Sequence, residues 1–176
     1  MIFRETKLKG AFIIELDKLH DERGFFARSY CSREFEEHGL NPRVAQCNIS
    51  YNAKKGTLRG MHYQIPPYEE AKLVRCTAGA IYDVIIDLRP DSRTYLEHYG
   101  IRLDPENRLM LFIPEGFAHG FLTLGDHTEV FYQMSEFYAS DSARGIRWND
   151  PRFHIPWPIE PAVISERDRN SPIYLP

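Results

Sequence analysis

Glycine and proline interrupt this chain at short intervals, which limits the length of any helix or strand that it can form. The 176 residues include 11 Gly and 12 Pro, and these lie between short apolar and aromatic runs. Both residues end regular elements, and a series of short strands separated by turns is typical of a β-sandwich or β-barrel. We therefore expect an all-β fold, with strands at residues 12–16, 25–30, 81–88, 109–113 and Thr128–Met134.

Only one segment has the marks of a helix. Residues 32–38 begin with Ser32 as a predicted N-cap and are followed by Gly39 as a stop, and Phe35 and Leu40 can attach the helix to a core. Residues 148–176 hold six prolines and little periodicity, which predicts an extended tail packed on the main body. The sequence thus predicts a single domain over residues 1–176, a jelly-roll barrel with one short helix and an extended C-terminal tail.

Composition excludes several classes of protein. The formal net charge of −3 gives no basic excess of the kind that binds nucleic acid or an anionic membrane. The three cysteines are odd in number and lack a CxxC spacing, which argues against a disulfide framework or a cysteine-built zinc site. The N-terminus lacks the apolar core of a signal peptide, and no apolar run reaches the ~18 residues of a membrane span. We expect a cytoplasmic protein with neither a nucleic-acid nor a membrane partner.

Two histidines are the first candidates for chemistry. His62 and His119 each come shortly after a glycine turn and lead into an apolar strand, so both can point into one barrel. A metal site of three histidines and one glutamate is the alternative to consider. However, only these two histidines converge, and Gln64, two residues after His62, is a poor ligand for a divalent metal. We therefore predict no metal, and expect the other five histidines at the surface.

Lysine, tyrosine and carboxylate candidates complete a possible acid–base set. Lys72 precedes a predicted strand, and its side chain either reaches solvent or enters the cavity. Tyr132 lies on a strand face, and Asp168 lies in a charged segment of the tail. A histidine base, an orienting carboxylate, a lysine and a tyrosine together suit proton abstraction beside a carbonyl. Spacing along the chain does not establish that these residues meet.

Motifs along nearly the whole chain resemble one family in order. The most specific are LRGMHYQ at residues 58–64 and IPEGFAHGF at residues 113–121. The further matching segments are residues 21–26, 46–50, 72–75, 83–89, 148–151 and 165–168. The chain resembles the dTDP-4-dehydrorhamnose 3,5-epimerase family, a metal-free branch of the cupins that acts on nucleotide-linked 4-keto sugars. The resemblance implies a homodimeric jelly roll, a nucleotide-diphosphate sugar as substrate and no cofactor.

The resemblance also implies roles for individual residues. His62 becomes the general base, Asp168 the carboxylate that orients it, Tyr132 the acid on the opposite face, and Lys72 the group near the sugar C4 oxygen. Further positions correspond to substrate contacts. These are Arg23, Arg59 and Arg167 for the pyrophosphate or nucleotide, Gln46 and Asn48 as polar contacts, Phe26 and Tyr138 as apolar or stacking contacts, and His119 in the cavity wall.

Two positions depart from the family pattern. Arg28 follows Phe26 closely where the family commonly has an acidic residue, and Ala143 and Arg144 lie near a second such position. These changes predict an altered nucleotide or sugar preference, with arginines 23, 28, 59, 144 and 167 gathered at one cavity for a diphosphate. The alternatives to an epimerase are a ketoisomerase that moves the keto group between C3 and C4, a metal-dependent cupin, and a non-catalytic sugar-binding barrel.

Overall fold

The structure, a computed structural model, describes residues 1–175 and contains two β-sheets that pack face to face. The strands and helices, in chain order, are β1 (Ile2–Glu5), β2 (Phe12–Glu15), β3 (Leu19–Asp21), β4 (Gly24–Phe26), α1 (Ser32–Glu37), β5 (Gln46–Asn52), β6 (Thr57–Gln64), β7 (Lys72–Ala78), β8 (Ile81–Asp87), β9 (His98–Leu103), β10 (Met110–Ile113), β11 (Phe117–Thr123), β12 (Thr128–Met134), β13 (Ala143–Gly145), β14 (Val163–Ile164) and α2 (Glu166–Arg169).

Strands that are neighbours in space are mostly distant in the chain, as in a jelly roll. The first sheet has the order β1-β2-β10-β7-β12-β5, and the second has the order β13-β6-β11-β8-β9. In the second sheet, β14 pairs with β6 in the only parallel arrangement among the described strands, while β3 and β4 form a separate hairpin. The predicted all-β class is confirmed, and the architecture is that of a cupin-like jelly roll.

The main core lies between the two sheets. Val74, Leu111 and Val130 from the first sheet meet Ile85 and Phe121 from the second, and all five are buried. Burial of such side chains contributes roughly 1.5–3 kcal/mol each to folding. Along β12 the next inward position after Val130 is Tyr132, which packs against this core. The inward face of β12 therefore passes from the apolar core at Val130 to a polar cavity at Tyr132.

Strand β8 is buried on both faces, which its alternating sequence did not indicate. Asp83 and Asp87 are 0% exposed and lie on the inward face, while Val84 and Ile86 lie on the outward face. The outward face is covered by the C-terminal tail, whose Phe153 belongs to the same buried cluster. Asp83 bonds His119 through Oδ1 only, and Asp87 accepts hydrogen bonds from Arg89, so the alternation marks a sheet interior rather than a solvated face.

The helix prediction is confirmed in place and corrected in detail. Helix α1 buries Phe35, but its N-cap is Cys31, whose side chain makes no capping bond, rather than Ser32. Gly39 follows the helix with a φ of 69°, and Leu40 donates its backbone N–H to the Phe35 carbonyl. This is a Schellman motif, in which a left-handed residue favours glycine. Leu40 is buried in the same cluster as Phe35, as expected.

Two further expectations are corrected. The strand predicted at residues 25–30 ends at Phe26, because β4 pairs only with the three residues of β3. A second helix, α2, lies in the tail, where the sequence indicated only a charged turn. Its four residues are too few to show an apolar period, but the Ser165 side chain caps it by accepting the backbone N–H of Asp168.

Candidate active site

Two adjoining pockets open between the sheets and share three side chains. The volumes are about 310 and 460 Å³, and His62, Lys72 and Tyr132 line both. His62 comes from the second sheet, whereas Lys72 and Tyr132 come from neighbouring strands of the first. The sequence motifs at residues 58–64 and 72–75 are thus brought together across the barrel, although they belong to different sheets.

His62 is held by a carboxylate from the far end of the chain. Its Nε2 lies 2.7 Å from Oδ1 of Asp168, and the other oxygen of Asp168 accepts the backbone N–H of Gly60 at 3.2 Å. The tail reaches this point because Val163 and Ile164 pair in parallel with β6, after which α2 begins. The role that the resemblance implies for Asp168, orientation of His62, agrees with this geometry.

The environment of Asp168 favours its ionised form. Burial alone would raise its pKa, but hydrogen bonds from His62 and Gly60 outweigh that effect and lower the pKa below its usual range. An ionised Asp168 accepts the Nε2 proton of His62 and leaves the Nδ1 lone pair unused. Because the His62 side chain is 42% exposed, this nitrogen is available to a molecule in the cavity.

His119 lies directly opposite His62 in the pairing of β11 with β6. The register of this pair shifts between His119 and Phe121, where Gly60 and Gly120 lie back to back. A Cβ on Gly60 would lie 2.5 Å from Cα of Gly120, so glycine is required for this close approach. His119 Nε2 bonds Oδ1 of the fully buried Asp83 at 2.7 Å. Both histidines line the second pocket, as expected if they point into one barrel.

Lys72 enters the cavity rather than reaching solvent. It is 8% exposed, and its Nζ pairs with Oε1 of Glu70 at 2.8 Å. The sequence analysis did not include Glu70 among the site residues. Its spacing of two from Lys72 was the available signal, since residues i and i+2 share one face of an extended chain.

Tyr132 faces the same cavity as a neutral phenol. Burial raises the pKa of its hydroxyl, the nearby charge of Glu70 raises it further, and Arg59 partly opposes both effects. A tyrosine with a raised pKa stays protonated at neutral pH and can act as an acid. Arg59 itself lines the second pocket and donates its Nε to the side-chain oxygen of Asn52 at 2.8 Å.

Besides Arg59 and His119, which line the second pocket, the predicted binding residues divide into two groups. Gln46, Asn48, Tyr138, Arg144 and Arg167 line the first pocket. Arg23, Phe26 and Arg28 line neither pocket of this chain, so within one chain Arg23 and Arg28 lie apart from the other three arginines. The physical reason is the exposed β3–β4 hairpin, which pairs with neither sheet. Its tip carries Arg23, paired with Asp21, while Arg28 follows the hairpin and pairs with Glu34.

Three cysteines and five further histidines were expected to play no part in the site. Cys76 is buried, Cys47 is exposed and Cys31 is intermediate. Among the histidines, His98 is not on the surface as predicted: it is half-buried in β9, where burial lowers its pKa. Within residues 1–175, no group of three or more His, Cys, Asp or Glu side chains is arranged to hold a metal ion.

The arrangement suits proton transfer at a carbon atom beside a carbonyl. A histidine oriented by a carboxylate lies on one sheet, and a protonated tyrosine and a lysine ammonium lie on the other. Fold and site together define a cupin-like jelly-roll enzyme of the acid–base isomerase class.

Comparison with known proteins identifies the family. The family model described as dTDP-4-dehydrorhamnose 3,5-epimerase matches residues 5–174. The chain belongs to the dTDP-4-dehydrorhamnose 3,5-epimerase family. A relative of that name from Methanothermobacter thermautotrophicus is 46% identical, with 98% of this chain and 97% of the relative covered.

Solved structures agree with this assignment over nearly the full chain. The epimerase from Bacillus anthracis, with TDP and pyrophosphate bound, has a TM-score of 0.94 and 42% identity, covering 98% of this chain and 99% of that chain. A 3′-monoepimerase from Streptomyces bikiniensis, in complex with dTDP-quinovose, has a TM-score of 0.86 and 32% identity, covering 96% and 85%. Among the described residues, no helix is long and apolar enough to cross a membrane.

Proposed function

We propose that this chain epimerises C3, C5 or both in a nucleotide-diphosphate-linked 4-keto-6-deoxy sugar, as a step in deoxysugar biosynthesis. The observation that carries the proposal is that the His62–Asp168 pair and Tyr132 reach one cavity from opposite sheets. Inversion of a carbon requires proton removal on one side and proton return on the other. Two groups on facing sheets supply those two sides.

The first step is removal of the proton beside the C4 ketone by Nδ1 of His62. The electron pair of the broken C–H bond forms the enolate, whose negative charge develops on the C4 oxygen. Such a C–H is too weak an acid for neutral imidazole unless that oxygen is stabilised as it forms. The Lys72 ammonium, 8% exposed in the cavity, supplies the stabilisation. A preorganised donor of this kind is worth about 3–4 kcal/mol.

The second step is return of a proton to the opposite face by the Tyr132 hydroxyl. The raised pKa of Tyr132 supports this role, because the phenol must be protonated at neutral pH to donate. Arg59, Arg144 and Arg167 would then hold the diphosphate, since guanidinium groups pair with phosphate oxygens in a bidentate manner. Tyr138 and Gln46 would contact the base or the sugar.

Deuterium uptake from D₂O tests the proposal. Wild-type protein mixed with dTDP-4-keto-6-deoxyglucose should incorporate deuterium at C3, C5 or both, and His62→Ala should abolish the uptake. A second variant, His38→Ala, alters an exposed histidine that lines neither pocket and should leave uptake unchanged. Absence of uptake in the wild type with dTDP-, CDP-, UDP- and GDP-linked 4-keto sugars would exclude an epimerase.

The same reaction mixtures distinguish the remaining alternatives. A ketoisomerase would give a product with its ketone at C3, which NMR analysis of the product detects. The altered residues Arg28 and Arg144 support a changed nucleotide or sugar preference, and Arg144 does line the first pocket. A titration in which dTDP is clearly favoured over CDP, UDP and GDP would contradict that proposal.

We also propose that the working enzyme is a homodimer in which the β3–β4 hairpin of one protomer reaches the cavity of its partner. The resemblance assigns Arg23 and Phe26 to the substrate, yet both are exposed and lie away from the pockets of their own chain. The side chain of Arg23 is 84% exposed, and Phe26 is 72% exposed. Both observations are satisfied if a second copy of the chain provides the missing wall.

Mixing two inactive variants tests this arrangement. An equal mixture of Arg23→Ala and His62→Ala, refolded together, should regain about a quarter of wild-type activity, because half of the dimers then contain one intact site. If each site is built from a single chain, the mixture stays inactive. A measured mass of one chain in solution would also contradict the proposal.

We also propose that the chain is a single domain that works in the reducing environment of the cytoplasm. The tail, residues 148–176, provides Asp168 and strand β14, so the barrel depends on it for its catalytic set. All three cysteines are free, which suits a reducing compartment. A truncated chain without the tail should lose activity even where the barrel still folds.

A further inference from the structure

Glu70 is a buried carboxylate whose position packing does not explain. Its side chain is 7% exposed, and Oε1 pairs with Nζ of Lys72 at 2.8 Å. Oε2 has no hydrogen-bond partner within the described part of the chain. An unpaired carboxylate oxygen in a buried position costs stability, and the ion pair with Lys72 offsets only part of that cost.

The charges around Glu70 make its presence more unusual. Among the described residues that line the two pockets, it is the one carboxylate. The other titratable side chains that line these two pockets are all cationic or neutral at pH 7, namely Lys72, Arg59, Arg144, Arg167, His62, His119 and tyrosines 51, 63, 132 and 138. A negative charge here weakens the attraction of the cavity for an anionic diphosphate. The unfavourable charge therefore calls for a function.

We propose that Glu70 is a positioning residue that acts through Lys72, holding the ammonium group at the sugar end of the cavity and reserving it for the carbonyl oxygen of the substrate. This inference rests on the proposed epimerase function. A lysine is a flexible, strongly attracting point charge, and without a partner it can pair with the diphosphate instead. The ion pair with Glu70 prevents that competition and leaves the diphosphate to the arginines.

A second effect of the same carboxylate supports this role. Glu70 contributes to the raised pKa of Tyr132, after the larger effect of burial. Glu70 therefore favours the protonated form of Tyr132, the proposed acid. It also holds Lys72, the group proposed to stabilise the enolate oxygen. Both effects concern the sugar end of the cavity rather than the stability of the barrel.

The variant Glu70→Gln tests the proposal, because it keeps the shape of the side chain and removes its charge. We expect kcat to fall about tenfold or more, since Lys72 is no longer held for the carbonyl oxygen. We expect thymidine diphosphate, measured by calorimetry, to bind about fivefold tighter, since the cavity loses one negative charge. Damage to the structure alone would lower kcat and weaken binding together, and that result would overturn the proposal.

Two further variants serve as controls. Glu69→Gln makes the same change one residue earlier, at a side chain outside both pockets, and should leave kcat and thymidine diphosphate affinity as in the wild type. Glu70→Asp keeps the charge on a shorter side chain and serves if the Gln variant does not fold. It should lower kcat and keep the affinity within about twofold; an unchanged kcat would refute the positioning role. If the wild type shows no deuterium uptake, the epimerase proposal fails, while the calorimetry still tests the charge effect of Glu70.

Discussion

Replacement of Asp168 by Asn separates catalysis from stability at this site. In the wild type, Oδ1 faces Nε2 of His62 at 2.7 Å and Oδ2 accepts the N–H of Gly60 at 3.2 Å. The single oxygen of an Asn must face Gly60, so its NH₂ group faces His62. Two N–H groups would then oppose each other unless the imidazole carries its proton on Nδ1. That tautomer keeps the hydrogen bond and removes the base.

The expected effect on rate is therefore large, and that on stability is small. Loss of the general base should lower the rate of deuterium uptake about 10²–10⁴-fold, which corresponds to about 3–5 kcal/mol in the activation free energy. The free energy of unfolding should fall by about 1 kcal/mol, since a charged acceptor becomes a neutral one. Proton NMR of the keto sugar in D₂O measures the first quantity, and urea unfolding measures the second.

Asp150→Asn is the matched control. Asp150 is 5% exposed in the tail, and its two oxygens accept the backbone N–H groups of Arg152 and Tyr174. An Asn there must turn its NH₂ toward one N–H, so unfolding should become easier by about 1–3 kcal/mol, while deuterium uptake stays at the wild-type rate. If Asp168→Asn keeps its rate within tenfold of the wild type, Asp168 does not set the His62 tautomer and the reasoning is refuted.

Three further predictions follow from the geometry. Tyr132→Phe should keep deuterium exchange on the side of the base, while NMR detects about hundredfold less inverted product, because only the proton donor is lost. Gly120→Ala should lower the free energy of unfolding, measured by urea titration, by about 1–3 kcal/mol and reduce activity. The reason is that its Cβ would lie 2.7 Å from Sδ of Met61. Gly125→Ala is the control and should be neutral in the same titration, because no atom would lie closer than 3.9 Å to its Cβ. Because the pKa of Asp168 is lowered in the folded state, its contribution to stability is complete above the unfolded pKa of about 4 and is lost as the pH falls through the folded value. Urea unfolding from pH 6 to 3 should therefore show a steeper loss in the wild type than in Asp168→Asn.

Local patterns predicted the elements that depend on neighbouring residues alone. Strand Thr128–Met134 has the bounds that its alternation indicates, and Gly39 ends α1 because a left-handed residue follows the helix. Helix α2 was missed because four residues carry no apolar period, and its stability comes from the Ser165 cap and the contacts of Asp168. The strand predicted at residues 25–30 was too long, because the end of β4 is set by its pairing with the three residues of β3.

The sequence by itself determined an all-β chain of short strands and named the acid–base candidates, because these properties follow from residue type and local spacing. The tertiary structure decided which candidates meet. Asp168 reaches His62 across 106 residues through the pairing of β14 with β6, and no local pattern encodes that contact. Glu70 is recognised as a site residue only from the tertiary structure, in which it is buried and paired with Lys72. Arg23, placed at the site by resemblance, lies outside the cavity of its own chain, because the hairpin that carries it pairs with neither sheet.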